Sequence, residues 1–211
     1  EQFFPKEKIV MTGNPVRKDI LETASKREQA FKHFGLDPER KTLLVIGGSQ
    51  GARTINEAIF AGLNDLISND LQVIWQTGKL FIDKAKQAVE SLQTQRVFVS
   101  DFIYEMDLAY AAADLVVSRA GALSVSELCL AEKPSILVPL PTAAEDHQTQ
   151  NAMRCGVLRA EVDVKVADAL LAGQRVMAAV VIAVHADITV HRLCPRFLFV
   201  ARKDVGRPLP R

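Results

Sequence analysis

The chain has 211 residues and is 48% apolar, enough for one cored domain with or without an appendage. Its 26 basic and 25 acidic residues leave a formal charge of +1, so net charge argues for neither nucleic acid nor an acidic membrane surface. No run reaches the roughly 20 apolar residues of a spanning helix, the amino end has no basic-then-apolar leader pattern, and Cys129, Cys155 and Cys194 are scattered without a CxxC pair. That cysteine usage excludes a disulfide framework or zinc knuckle and fits a reducing compartment.

Residues 8–11 (KIVM) read as a strand, and Thr12-Gly13-Asn14-Pro15 as a turn leading to Arg17. Residues 18–34 are charged and helix-compatible, with Gly35 and Asp37-Pro38 as the stop. Leu43-Leu44-Val45-Ile46 is a buried strand that runs into Gly47-Gly48-Ser49-Gln50-Gly51. Ile55, Ala58, Ile59, Leu63, Leu66 and Ile67 then recur at helical spacing. Val73-Ile74-Trp75 is the next strand, and residues 80–93 form an amphipathic helix with Ala85, Val89 and Leu92 inward. Val97-Phe98-Val99, then a short helix over 105–113, then Leu115-Val116-Val117, continue the alternation. A fifth strand falls at 134–139, and a helix begins near His147. From Arg154 the character changes: Lys outnumbers Arg before it and Arg outnumbers Lys after it, as in a shifted reading frame. A helix over part of 160–172 and a strand at 176–184 are the readings there.

Five short apolar strands alternating with helices specify an α/β fold: a doubly wound, Rossmann-like parallel sheet covered on both faces. Ligands of such sheets bind beyond the carboxyl ends of the strands. The unusual residues fall on those loops: 47–51, 77–79, 100–103, 118–123 and 140–147.

The stretch from Asp114 to Glu127 is the centre of that arrangement. A strand ending in Gly121 and opening a helix aims backbone N–H groups and a positive dipole end at one spot, which suits a phosphate or diphosphate. Ser124-Val125-Ser126-Glu127 fits a capping box; the alternative use of Glu127 is to accept hydrogen bonds from vicinal sugar hydroxyls. The glycines of 47–51 either line a ligand cleft with Ser49 or serve only tight strand-to-helix packing, since their spacing is not the GxGxxG fingerprint. Gln148 and Asn151 share a helix face, and their amides suit sugar hydroxyls; Asp146 alternatively caps that helix. There is no Asp-x-Asp pair, GxSxG elbow, P-loop or HExxH.

In this order, Thr12-Gly13-Asn14-Pro15-Val16-Arg17, Gly47-Gly48-Ser49-Gln50-Gly51-Ala52-Arg53, Trp75-Gln76-Thr77-Gly78-Lys79, Ser118 through Glu127 and His147-Gln148-Thr149-Gln150-Asn151-Ala152 resemble the MurG family of bacterial N-acetylglucosaminyltransferases, over about residues 8–153. The resemblance implies the carboxyl-terminal, donor-binding half of a GT-B enzyme: residues 1–17 as the incoming linker, 18–153 as the UDP-sugar domain and 154–211 as a divergent tail. It implies that Phe102 and Ile103 hold uracil through backbone, that Glu127 holds the ribose and that Ala122, Leu123 and Ser124 hold the diphosphate, with Arg119 and Ser49 nearby. His147, Gln148 and Asn151 then meet the sugar, and Arg17 lines the cleft. The implied reaction is inverting transfer of N-acetylglucosamine from UDP-N-acetylglucosamine to undecaprenyl-pyrophosphoryl-MurNAc-pentapeptide, lipid I. It uses no metal or cofactor, takes place at the cytoplasmic face of the bacterial inner membrane, and relies on a general base and lipid I contacts in an amino-terminal domain absent from these residues. The competing readings are a UDP-N-acetylglucosamine 2-epimerase of the same architecture and a nucleotide-binding module without activity of its own.

Overall fold

The computed structural model describes residues 5, 8, 10, 12–140, 142–156 and 197–200. Among these described residues, six strands, β1 (Thr42–Ile46), β2 (Gln72–Gln76), β3 (Val97–Ser100), β4 (Leu115–Ser118), β5 (Ser135–Leu137) and β6 (Phe197–Val200), make one sheet in the order β3-β2-β1-β4-β5-β6. All five pairings are parallel. The helices are α1 (Arg27–Phe34), α2 (Arg53–Ser68), α3 (Ile82–Ser91), α4 (Met106–Ala112), α5 (Ala122–Leu130) and α6 (His147–Gly156).

Every residue of β1, β2, β4 and β5 is buried, because both faces of the sheet are covered. Successive side chains point to opposite faces, and the two cores follow that alternation. Leu43, Val45, Val73, Trp75, Leu115 and Val117 pack with Ile55, Ile59, Leu63 and Leu66 of α2 and Ala85 of α3. Leu44, Ile46, Ile74 and Val116 pack on the other face with Phe31 and Phe34 of α1, Tyr110 of α4 and Leu128 of α5. The chain reverses direction across the sheet between β1 and β4, and the crevice above that point is where such folds take ligands.

Most expected elements form within a residue or two of their readings. The expected helix over 18–34 divides into a 3-10 helix (Lys18–Lys26) and α1, closed by Gly35 at φ 65°. At the expected strand over 8–11, the Lys8 N–H instead donates to the Pro5 carbonyl at 2.9 Å in a 3-10 turn; Ile9 and Met11 lie outside the described residues. The readings at 160–172 and 176–184 also lie outside them, while β6 extends the sheet from within 154–211.

The 3-10 helix is held to α4 by Lys26 Nζ, 2.9 Å from Asp107 Oδ2. Burial pushes the Asp107 carboxyl up, but the Lys26 bond and the Leu108 N–H outweigh it and leave the group below its usual range. A carboxyl depressed in the folded state adds stability above its unfolded pKa and loses it as pH falls through the folded one. Acidification from about pH 5 to about pH 3 should therefore lower the melting temperature of the parent more steeply than that of Asp107→Asn. Parallel curves for the two proteins would show that the pair contributes nothing.

Candidate functional site

The helix that follows β4 starts earlier than the capping-box reading requires. Gly121 is its N-cap, at φ −67° and ψ 149°, with no side-chain cap. The first turn closes with Val125 N–H on the Gly121 carbonyl at 2.9 Å. The amides of Ala122, Leu123 and Ser124 therefore begin the helix without intrahelical acceptors, at the positive end of its dipole. Ser124 is the third helical residue and Glu127 the sixth, so Glu127 is too far along to reach back to the cap, and the box does not form.

Glu127 is instead held from below. Its Oε2 accepts a hydrogen bond at 3.1 Å from the hydroxyl of Tyr110, a fully buried side chain of α4. Burial, and then the Glu127 carboxylate, push the Tyr110 hydroxyl far above its ordinary pKa, so it stays a donor. A Cβ on Gly121 would meet only Ser124 Oγ, at 3.7 Å. The fold itself does not demand glycine there; its absence of side chain leaves the helix end open to a close ligand.

The other expected residues surround this turn, several as ties within it. Arg119 Nη1 donates to the carbonyls of Val138 and Pro139 at 3.2 and 3.0 Å, and burial pulls its guanidinium below the usual pKa. It joins the ends of β4 and β5. Asn151 Nδ2 donates to Ala120 O at 3.1 Å, which sets α6 against the same turn. Gln148 Oε1 accepts from Leu140 N–H at 3.0 Å. His147 is exposed, with Nδ1 2.7 Å from Ala144 O. Asp146 Oδ1 accepts from Thr149 Oγ1 at 2.5 Å, a local tie at the start of α6.

On the β1 and β3 side, Ser49 is exposed at the tip of its loop. Phe102 is 39% exposed and stacks edge-on with Tyr104, whereas Ile103 is buried in the core. The Phe102 N–H is taken by Asp101 Oδ1 and the Ile103 N–H by Gln76 Oε1, at 2.9 and 3.0 Å. Both N–H groups of this loop are thus engaged within the chain. Arg17 Nη1 donates to Tyr104 O at 3.3 Å, and Asn14 Nδ2 to Ala122 O and Ser126 Oγ at 3.3 and 2.7 Å. Those bonds dock residues 14–17 across the mouth of the crevice.

The model of the glycosyltransferase family 28 C-terminal domain matches residues 42–181. The chain belongs to glycosyltransferase family 28. It is 57% identical over 153 residues to the UDP-N-acetylglucosamine--N-acetylmuramyl-(pentapeptide) pyrophosphoryl-undecaprenol N-acetylglucosamine transferase of Parabacteroides distasonis, covering 72% of this chain and 42% of that one. The Bacteroides fragilis protein of the same name is 54% identical over 171 residues, covering 80% and 45%. The chain thus spans somewhat under half the length of these relatives. Among solved structures, Acinetobacter baumannii MurG matches with a TM-score of 0.53 and 28% identity, over 74% of this chain and 43% of that one. The C-terminal CMP-Kdo binding domain of WaaA from the same organism matches with a TM-score of 0.54 at 14% identity, over 80% and 92%, a likeness of fold alone.

Three residues around this crevice escaped the sequence reading as site residues. Asn14 gave the signal of a turn only. Tyr110 sits in an alanine-rich helix and carries no sequence mark. Gln76 did carry one: it is a polar residue at the end of an apolar strand, yet 4% exposed. Its Nε2 donates to Gly48 O at 3.1 Å while Oε1 accepts from Ile103 N–H, so one amide spans the β1 and β3 loops. Replacing it with Leu leaves the buried Ile103 N–H unpaired, and we expect a loss of about 1–3 kcal/mol in chemical denaturation. An unchanged midpoint would mean the loops do not depend on that bridge.

Proposed function

We propose that this chain is the donor half of an inverting N-acetylglucosaminyltransferase, binding UDP-N-acetylglucosamine in the crevice between β1 and β4. The observation that carries the reading is the uncapped start of α5 beside a Glu127 carboxylate already oriented by Tyr110. Diphosphate oxygens would take the amides of Ala122, Leu123 and Ser124, replacing the acceptors that the helix lacks. The ribose would lie over Glu127, whose second oxygen is a pure acceptor for a hydroxyl. Uracil would sit at Phe102 and Ile103, its N3–H meeting the Ile103 carbonyl. The sugar would face His147, Gln148 and Asn151, with Ser49 and Arg17 at the edges; Arg119 acts by bracing the turn rather than by gripping the anion.

The names borne by the relatives supply the acceptor: an undecaprenyl-pyrophosphoryl MurNAc-pentapeptide, lipid I, which this half would reach together with an amino-terminal domain. The reaction would be displacement at the anomeric carbon with UDP leaving, the departing charge held by the α5 amides. The general base would come from that other domain. Acting on a lipid-linked acceptor, the whole enzyme would lie peripherally at the cytoplasmic face of the inner membrane. Among the described residues no helix is long and apolar enough to cross a membrane.

Calorimetry with UDP and UDP-N-acetylglucosamine tests the donor assignment; a folded chain that binds neither would sink it. Transfer to a lipid I analogue, measured with the chain alone and with an added amino-terminal domain, tests the reaction. Conversion of UDP-N-acetylglucosamine by the chain alone to its 2-epimer would replace this reading with the epimerase.

A further inference from the structure

We propose that Tyr110 is a positioning residue that makes the nucleotide site selective for ribose over 2′-deoxyribose by locking the Glu127 carboxylate in place. The inference rests on the assignment of Glu127 to the ribose. Glu127 lies on a helix whose first turn has no side-chain cap, and it is only partly buried. A glutamate there has three rotatable bonds, and holding it in one geometry costs conformational entropy.

Tyr110 meets that cost in advance. Its ring is fully buried between α4 and the sheet, so the hydroxyl is a fixed point rather than a mobile partner. That hydroxyl donates to Oε2 at 3.1 Å. A phenol can give only one proton, so the bond fixes one carboxylate oxygen and leaves Oε1 as the acceptor presented to a ligand. The hydroxyl keeps its proton because burial and the carboxylate both oppose ionisation, with the Arg17 guanidinium acting weakly the other way. A pre-oriented charged acceptor gains most from the hydroxyl it was oriented for and gains nothing where that hydroxyl is missing. Nothing in the packing of α4 requires the oxygen: a phenylalanine would fill the same core volume.

The test uses the 211-residue chain, isothermal calorimetry and three ligands: UDP, 2′-deoxy-UDP and inorganic diphosphate. The parent should prefer UDP to 2′-deoxy-UDP by about tenfold or more, the range of a hydrogen bond to a charged group. Glu127→Ala should bring that ratio close to one. Tyr110→Phe should lower the ratio at least about threefold while leaving inorganic diphosphate binding and 2′-deoxy-UDP binding near parent values, a pattern that general loosening of the fold does not give. Its thermal unfolding, within a few degrees of the parent, certifies the fold; Glu127→Asp, which withdraws the carboxylate from the Tyr110 hydroxyl by one methylene, should lower the ratio in the same way. If Glu127→Ala abolishes the preference but Tyr110→Phe keeps it, the role of Tyr110 is overturned and the ribose assignment stands. If the parent shows no preference, or Glu127→Ala retains it, the ribose assignment fails and this inference falls with it.

Discussion

Gly51→Ala should destabilise the chain by about 3 kcal/mol or more, while Gly48→Ala, three residues away, should cost only about 1 kcal/mol. Both glycines have positive φ, 76° and 83°, so both alanines pay the left-handed backbone penalty. They differ in what surrounds them. A Cβ on Gly51 would sit 2.2 Å from the carbonyl oxygen of Thr77, whereas nothing lies within 4 Å of one on Gly48. The Thr77 carbonyl cannot retreat, because Asn56 Nδ2 donates to it at 2.7 Å and Asn56 is itself pinned by Trp75 Nε1 at 3.0 Å. Gly78 locks the same contact from the other side, its Cβ position 2.6 Å from Gln50 O. For a chain of this size about 3 kcal/mol lowers the melting temperature by roughly 6–12 °C, which calorimetric or circular-dichroism melts of the two variants resolve. Equal losses would show that the two loops part easily and are not packed backbone to backbone.

The second large effect is on binding. Glu127→Ala should weaken UDP by about 2–3 kcal/mol, roughly 30- to 150-fold, from the loss of a charged acceptor to ribose hydroxyls. The same change orphans the buried Tyr110 hydroxyl, so a stability loss of about 1–2 kcal/mol should accompany it. Glu127→Gln separates the two consequences. Its carbonyl still accepts from Tyr110, so stability should stay near the parent, but the charge is gone and one ligand-facing acceptor becomes a donor. UDP should therefore still bind distinctly more weakly to Glu127→Gln, with inorganic diphosphate little changed in both variants, since in the proposed site that anion meets the α5 amides rather than Glu127. Parent-like UDP affinity in Glu127→Gln would remove Glu127 from the site.

These two glutamate and glycine cases mark where sequence and structure divide. The short apolar runs, each ending in glycine or polar residues and each followed by a helical period, determine the doubly wound sheet, because only a sheet buried on both faces needs strands without alternation. They also determine which edge carries chemistry, since the polar clusters all follow strands. A strand–glycine–helix junction at Gly121 is visible in the sequence, but the residue at which the helix starts is not. Sequence spacing alone did not decide what Glu127 does, because a Ser-x-x-Glu box and a ligand-facing carboxylate look identical until the helix start is known. Tertiary structure removed the box by starting the helix at Gly121, and it brought Tyr110, 17 residues earlier, under the carboxylate. It also shows one use of the glycine-rich loop: Gly51 is required by the backbone of a loop 26 residues later. The physical reason is the same in both cases. Local pattern encodes periodicity and turn chemistry, but the partner of a buried hydroxyl or the neighbour of an absent Cβ is set by how the strands are ordered in space.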